Sequence, residues 1–185
     1  MPKANIVRQS FNRAASTYTA SAALQQGVRN QLLRQATREL NPSDATTILD
    51  AGCGTGDLLQ QLRLEFPRAR MIGLDFAEGM LRQQRPVHGA YLINADLEHL
   101  PIANGGVDIY LSSLAWQWCD ISRAVSEAAR VLRPGGQLWV TTLVSGTFTE
   151  LANALNMVSL QSTHHLLTLP DPADVLAQFG RTALQ

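Results

Sequence analysis

No apolar run in this chain approaches the ~18 residues needed to cross a bilayer, and the opening Met-Pro-Lys-Ala-Asn-Ile lacks the apolar core of a secretory signal. Cysteine is scarce. Cys53 and Cys119 are the only two, which excludes a disulfide framework, and they read as a small residue in a tight turn and a packed thiol. His88, His99, His164 and His165 form neither an i, i+4 pair nor a Cys-rich array, so surface or hydrogen-bonding roles outweigh metal ligation. An excess of one charge is missing too: 15 Lys and Arg balance 15 Asp and Glu. A neutral total supports neither a nucleic-acid nor a membrane partner. Locally the balance tilts, because Lys3, Arg8, Arg13, Arg29, Arg34 and Arg38 face only Glu39 in the first forty residues. That stretch reads first as a solvated helix face and second as a docking face for an acidic partner. What remains after these exclusions is a cytoplasmic enzyme whose 185 residues suffice for one core.

The pattern that is present is alternation. Residues 5–40 read as helix in two pieces, broken near Ser16-Thr-Tyr-Thr19, with Leu24, Val28, Leu32 and Leu33 at helical spacing opposite arginines. Asn41-Pro-Ser-Asp44 ends them, since the residue before a proline is pushed out of the helical region. Strands follow at Thr46–Asp50, Ala69–Asp75, Tyr91–Asp96, Val107–Leu111 and Gln137–Leu143. Between them lie helices at Asp57–Phe66, Ala77–Arg85 and Asp120–Leu132, the last ended by Arg133-Pro-Gly-Gly136. Strands alternating with helices of about ten residues predict an α/β fold: a parallel sheet with helices on both faces. The expected organisation is a single domain, with a helical lid over 1–40, a core over 45–143 and a helical tail over 147–185. Helices are expected in that tail at Phe148–Leu160 and from Asp171-Pro172, where an acidic cap precedes a proline.

The stretch Ile48-Leu-Asp-Ala-Gly-Cys-Gly-Thr-Gly-Asp-Leu58 follows the first strand with three glycines in five residues. The dinucleotide fingerprint G-x-G-x-x-G would need a third glycine where Asp57 stands. A pyrophosphate sits at that helix N-terminus, and a carboxylate about 4 Å from one phosphate charge costs roughly 4 kcal/mol at an effective dielectric of 20. That argues against NAD or FAD, and the phosphate loop G-x-x-x-x-G-K-[ST] is absent. A ligand without phosphate removes the conflict. Asp50, Asp75 and Asp96 each close one of the first three strands, which puts three acids along the sheet edge where α/β folds bind ligands. Any one of them alone could be a turn former.

Asp50-x-Gly52-x-Gly54-x-Gly56 with these acids resembles motif I of the class I S-adenosylmethionine-dependent methyltransferases, which have a Rossmann-like fold. The resemblance implies that Gly52, Cys53, Gly54 and Gly56 pass under the methionine part of S-adenosylmethionine, with Asp50 beside its zwitterionic end. It implies Asp75 on the ribose hydroxyls, which a carboxylate has the capacity to accept, and Asp96 with Leu97 at the adenine. Phe76, Met80 and Ser113 complete the implied cofactor set.

Neither an (Asn/Asp/Ser)-Pro-Pro-Tyr motif nor a Pro-Cys nucleophile of base-modifying methyltransferases follows the fourth strand. Ser113-Leu-Ala-Trp-Gln-Trp-Cys119 stands there instead, either a tryptophan pair finishing a core or part of a substrate site. It is similar to a segment of the malonyl-acyl-carrier-protein O-methyltransferases of biotin synthesis. Phe11-Asn-Arg-Ala-Ala-Ser-Thr-Tyr18, Leu132-Arg-Pro-Gly-Gly136 and Thr141-Thr-Leu-Val-Ser-Gly-Thr-Phe-Thr-Glu-Leu151 look like the same family. The resemblance implies methylation of the free carboxylate of a malonyl thioester, carried on acyl-carrier protein or coenzyme A. It implies alignment as the main catalytic device, worth about 7–11 kcal/mol in favourable cases. Trp116 or Tyr18 would exclude water, Gln117 stands in the same loop, and Arg123 is the arginine chosen to orient the carboxylate.

Two departures stand out. Ser113 occupies the family's usual Asn position, and the family continues for several tens of residues that supply two further strands. The chain is therefore expected to lack those strands, leaving the fifth as an open edge suited to dimerisation. Two other functions stay in play: another small-molecule methyltransferase acting on a quinone or small carboxylic acid, and a shortened, non-catalytic cofactor-binding paralogue.

Overall fold

The computed structural model describes residues 2–21, 23–40, 47–150, 153 and 169–181. Two helices, α1 (Pro2–Ser21) and α2 (Ala23–Glu39), precede β1 (Thr47–Ala51), α3 (Asp57–Glu65), β2 (Arg70–Asp75), α4 (Glu78–Arg82) and β3 (Ala90–Asn94). Then come β4 (Val107–Ser113), a single 3-10 turn at Trp116–Trp118, α5 (Ile121–Val131), β5 (Leu132–Thr141) and α6 (Pro172–Arg181). The strands form one parallel sheet in the order β3-β2-β1-β4-β5.

Side-chain alternation along the strands builds the two layers around it. Ile48, Met71, Ile109 and Leu111 point to one face, where Leu32 and Ala36 of α2 and Leu58, Leu59 and Leu62 of α3 cover them. Leu49, Leu74 and Tyr110, one residue out of phase, point to the other, under Ala124, Val125 and Ala128 of α5. All five residues of β1 are buried, as a central parallel strand requires. Local signals set the helix starts: the Asp120 carboxylate accepts the Arg123 N–H at 3.2 Å to cap α5, and Gly56 turns the chain into α3 in the left-handed region.

Several boundaries differ from the sequence expectation: β3 ends at Asn94, so Asp96 follows the strand instead of closing it, and α4 stops at Arg82, short of Arg85. α1 runs unbroken through residues 16–19. Serines and threonines there lower helix propensity without removing an N–H donor as a proline would. β4 reaches Ser113, so that residue ends a strand instead of opening a loop. The Arg133-Pro-Gly-Gly136 stretch does not separate helix from strand. It bulges out of β5 between the pairs Val107↔Leu132 and Ile109↔Gln137, with Gly135 at φ 73°. The expected helix over 148–160 falls mostly outside the described residues. Among the described residues β5 has one strand neighbour, β4.

Trp116 decides how the C-terminal helix docks. Its ring is fully buried, 6.2 Å edge-on from Tyr110 and 6.0 Å stacked on Phe179 of α6. The tryptophan pair therefore splits, with Trp116 in the core. Replacing it by alanine removes the shared packing partner of β4 and α6. Trp116→Ala should destabilise the chain by about 3–5 kcal/mol, read as a lowered denaturation midpoint, and expose the α6 segment to proteolysis.

Candidate active site

A parallel sheet with this strand order has a switch point between β1 and β4, where connections leave for opposite faces. A cleft of about 720 Å³ opens there, at the carboxyl ends of the strands. Its floor is the turn after β1. The N–H groups of Gly52 and Cys53 both donate to the Leu74 carbonyl, at 2.7 and 2.9 Å, which locks the turn onto β2. The Gly54 N–H donates to Asp75 Oδ2 at 2.9 Å. Gly52 lies at φ 80°, and a Cβ there would meet the Ala115 Cβ at 2.4 Å. Gly54 lies at φ 54°, and the space a Cβ would fill is open. The turn thus presents bare backbone to the cleft.

Asp75 ends β2 with both oxygens engaged: Oδ2 with Gly54 and Oδ1 with the Ala77 N–H at 2.8 Å. Burial raises its pKa while those two N–H donors lower it. An ionised carboxylate offers about four lone-pair sites, so two remain toward the cleft it lines. Asp96, two residues beyond β3, is exposed on the cleft wall and holds the Glu98 N–H at 2.9 Å. Leu97 beside it is buried and also lines the wall. Phe76 and Met80 follow Asp75 along the same side.

Asp50 points elsewhere. It lines a second, smaller concavity under the glycine turn, reached from the α2 side, where Gly52, Gly54 and Ser113 are shared with the main cleft. Burial, then the Asp75 charge, push its carboxyl up to about 7, against the pull of Arg29. Burial, then Asp50 and Asp75, raise the Cys53 thiol. Burial and the acids Glu98, Asp96 and Asp120 raise Cys119. Both sulfurs are neutral at pH 7, which removes them as nucleophiles.

The residues expected to serve the substrate fare differently. Trp116 is in the core, and Trp118, 37% exposed, takes the cleft wall in its place. Two tryptophans in one 3-10 turn point in different directions, and nothing in their spacing says which turns inward. Gln117 is pinned by its own turn: its amide donates to the Leu114 carbonyl at 2.7 Å, and its oxygen accepts the Thr142 hydroxyl at 3.3 Å. Arg123 sits on the rim, its guanidinium 3.7 Å from Glu98, which lines the cleft. The Tyr18 side chain lies outside the described residues.

Two further contributors stand in the family-like segments but are not singled out there as site residues. Phe11 of α1 lines the cleft, meeting Trp118 and Phe76 edge-on at 5.6 and 6.1 Å. Leu114, the one non-glycine residue at positive φ among the described residues (52°), turns the chain from β4 into the wall. Strain of this kind collects at ligand sites. Among the described residues no group of three His, Cys, Asp or Glu side chains is placed to hold a metal ion, and no helix is long and apolar enough to cross a membrane.

Comparison with known proteins agrees with this geometry. A methyltransferase-domain family matches residues 49–140. The chain is 41% identical to the malonyl-[acyl-carrier protein] O-methyltransferase of Dechloromonas aromatica over 91% of its own length and 62% of that protein. It is 43% identical to the enzyme of the same name from Methylococcus capsulatus, over 85% of this chain and 58% of the relative. The chain thus spans about three fifths of the length of these relatives. Among solved structures, the YcgJ protein of Bacillus subtilis superposes with a TM-score of 0.65 at 23% identity, covering 84% of this chain and 69% of that one. Geranyl diphosphate C-methyltransferase of Streptomyces coelicolor, solved with S-adenosyl-L-homocysteine, gives 0.61 at 17% identity, covering 83% and 61%. Residues 49–140 match a methyltransferase-domain family, and the sheet order and structural neighbours agree on the fold: this chain has the class I methyltransferase fold.

Proposed function

We propose that the chain binds S-adenosylmethionine in the main cleft and transfers its methyl group to the free carboxylate of a malonyl thioester, on acyl-carrier protein or coenzyme A. Such an ester would start a pimeloyl chain for biotin. The names of the relatives support the acceptor. The observation that carries the cofactor is the wall of the cleft: Asp75 and Asp96 at one end, the bare backbone of Gly52 and Gly54 beneath, and Phe11, Phe76 and Trp118 alongside. The Gly54 position, open where a Cβ would stand, and the Asp50 oxygen buried without a partner fit a ligand with an adenosyl end and a charged amino-acid end.

In this reading Asp75 accepts from the ribose hydroxyls while keeping the glycine turn in place. Asp96 accepts from the adenine amino group. When bound, the cofactor supplies a sulfonium-activated methyl group. The protein's share of the chemistry is placement and solvent. A carboxylate is already ionised at pH 7, so no general base is required, and no histidine or neutralising cation lines the described cleft. An acidic wall suits a cationic cofactor. An anion and a sulfonium react to neutral products, so taking both out of water favours reaction. The aromatic edges of Phe11, Phe76 and Trp118 provide that exclusion, with α1 as lid. Arg123, paired with the cleft residue Glu98 at 3.7 Å, would meet the acceptor carboxylate by leaving that partner.

The decisive experiment supplies methyl-labelled S-adenosylmethionine with malonyl-carrier protein, malonyl-coenzyme A, trans-aconitate and a demethyl-quinone in parallel. Base-labile label in the malonyl thioesters is expected. Label only in another acceptor overturns the substrate, and cofactor binding without transfer to any acceptor leaves a binding module.

Asp75→Ala should weaken cofactor affinity about tenfold or more in a calorimetric titration, since two charge-assisted hydrogen bonds are lost. Unchanged affinity would remove Asp75 from the site. Asp50 makes a pH signature. Burial holds its carboxyl at about 7 in the folded chain, above the ordinary aspartate value of 3.8, so the folded chain binds the proton more tightly than the unfolded one. Asp50 therefore lowers ligand-free stability as pH rises from about 4 to about 7, by up to about 1.4 kcal/mol per pH unit. Asp50→Asn should flatten that decline in urea denaturation across this window.

A further inference from the structure

Leu114 takes a left-handed backbone at φ 52° and lines the cleft. Crowding between Cβ and the following carbonyl disfavours that region for a leucine. Glycine takes it without strain, and asparagine visits it readily. The turn of the backbone therefore does not call for leucine; what the position gains at the cost of strain is the side chain.

Fixed surfaces hold this turn on both sides. The Leu114 N–H donates to the carbonyl of Thr141, the last residue of β5, at 2.9 Å. The Leu114 carbonyl accepts the Gln117 amide at 2.7 Å, so both polar backbone groups of the residue are engaged. The Gln117 oxygen in turn accepts the Thr142 hydroxyl at 3.3 Å, and the Thr141 hydroxyl donates to Ser113 Oγ at 3.4 Å. The next residue, Ala115, presses on the glycine turn: a Cβ on Gly52 would stand 2.4 Å from the Ala115 Cβ. Leu114 is thus clamped between the end of β5 and the cleft floor, and Gln117 closes the clamp. A strained backbone persists where its surroundings over-determine it in this way.

Position in the sheet decides what the side chain meets. In the cofactor reading above, the adenosyl end lies with Asp75 at the end of β2 and Asp96 beyond β3. β4 stands on the other side of β1 from both, and two strand spacings put its end about 10 Å from that of β2. That leaves the wall of Leu114, Ala115 and Trp118 to the acceptor. A malonyl group has one methylene between its two carbonyl carbons, and a succinyl group has two. A rigid apolar wall separates such chains by the room it leaves, whereas a wall that yields does not.

We propose that Leu114 is a specificity-determining residue for the chain length of the acceptor, and that Gln117 is the positioning residue that holds it there. The assignment rests on the acceptor reading given above. It moves Gln117 from contact with the acceptor to support of the wall that the acceptor meets.

Binding tests this without turnover. The full chain is saturated with S-adenosylhomocysteine, which carries no transferable methyl group, and titrated calorimetrically with malonyl- and succinyl-coenzyme A. The wild type should bind the malonyl thioester about tenfold or more tighter. Leu114→Ala and Gln117→Leu should each cut that preference to about threefold or less, while the affinity for S-adenosylhomocysteine changes by less than about twofold. Leu114→Met, apolar and close in volume, should keep most of the preference. An unchanged preference in Leu114→Ala or in Gln117→Leu overturns the proposal. Equal losses for S-adenosylhomocysteine and both thioesters overturn it too, since the turn would then only support the cleft. Wild-type binding of the succinyl thioester as tight as the malonyl has the same consequence. Binding of neither thioester by the loaded wild type overturns the acceptor reading itself, and this assignment with it.

Discussion

The Asp75 carboxylate holds the first turn of the sheet against the second. One oxygen takes the Gly54 N–H and the other the Ala77 N–H, so the loop after β1 and the entry to α4 share one anchor. The Gly52 and Cys53 N–H groups reach back to the Leu74 carbonyl, and Asn94 and Ala95 donate to the Asp75 carbonyl at 2.8 and 3.2 Å. Three strand ends are thereby cross-tied at one residue. A cleft at the carboxyl edge of a parallel sheet is a consequence of topology. A cleft with a fixed floor needs such cross-ties, because a glycine-rich turn has too many conformations of its own.

Electrostatics then sorts the ligands. Asp75, Asp96 and Glu98 line the cleft and Asp50 lies beneath it. From the sequence, the obstacle to a pyrophosphate lies at Asp57. In the fold, Asp57 faces Arg29 and is partly neutralised, and Asp50, held near 7, carries only part of its charge. Opposition to a dinucleotide therefore also involves Asp75 and the exposed Asp96 of the cleft wall. The same arrangement favours a ligand with a net positive centre, since each acid that would repel phosphate attracts a sulfonium.

Legibility in the sequence followed how local each cause was. The strands, their order of acids and the glycine turn were readable, because alternation, strand-end carboxylates and turn glycines are short-range signals. The Arg133-Pro-Gly-Gly136 bulge was not, since it exists only against β4. Trp116 and Trp118 exchanged roles because the choice was made by a partner far along the chain, Phe179. Arg29 was invisible for the same reason, reading as an ordinary position of an amphipathic helix, and Phe11, though it opens a family-like segment, could not be assigned to the cleft until docking brought it to the sheet edge.

On α1 that docking includes Phe11, Asn12 and Ala15. Asn12 Oδ1 accepts the Gly79 N–H at 2.7 Å, and a Cβ on Gly79 would stand 2.8 Å from that oxygen, so the approach depends on glycine. Ala15 is buried among the described side chains of α1, packed with Ala77 and Met80, while Phe11 rests on Phe76 and Trp118. Met80, Phe76 and Trp118 are walls of the cleft. The described contacts of α1 with Phe76, Met80 and Trp118 are thus contacts with the cleft wall, and anything that fills the space between those rings strengthens both. α2 is seated by Leu32, Ala36 and Leu40 in the main core. The two N-terminal helices thus reach the sheet edge differently: α2 brings Arg29 beneath the glycine turn from a seat in the core, while α1 meets the cleft wall through Phe11.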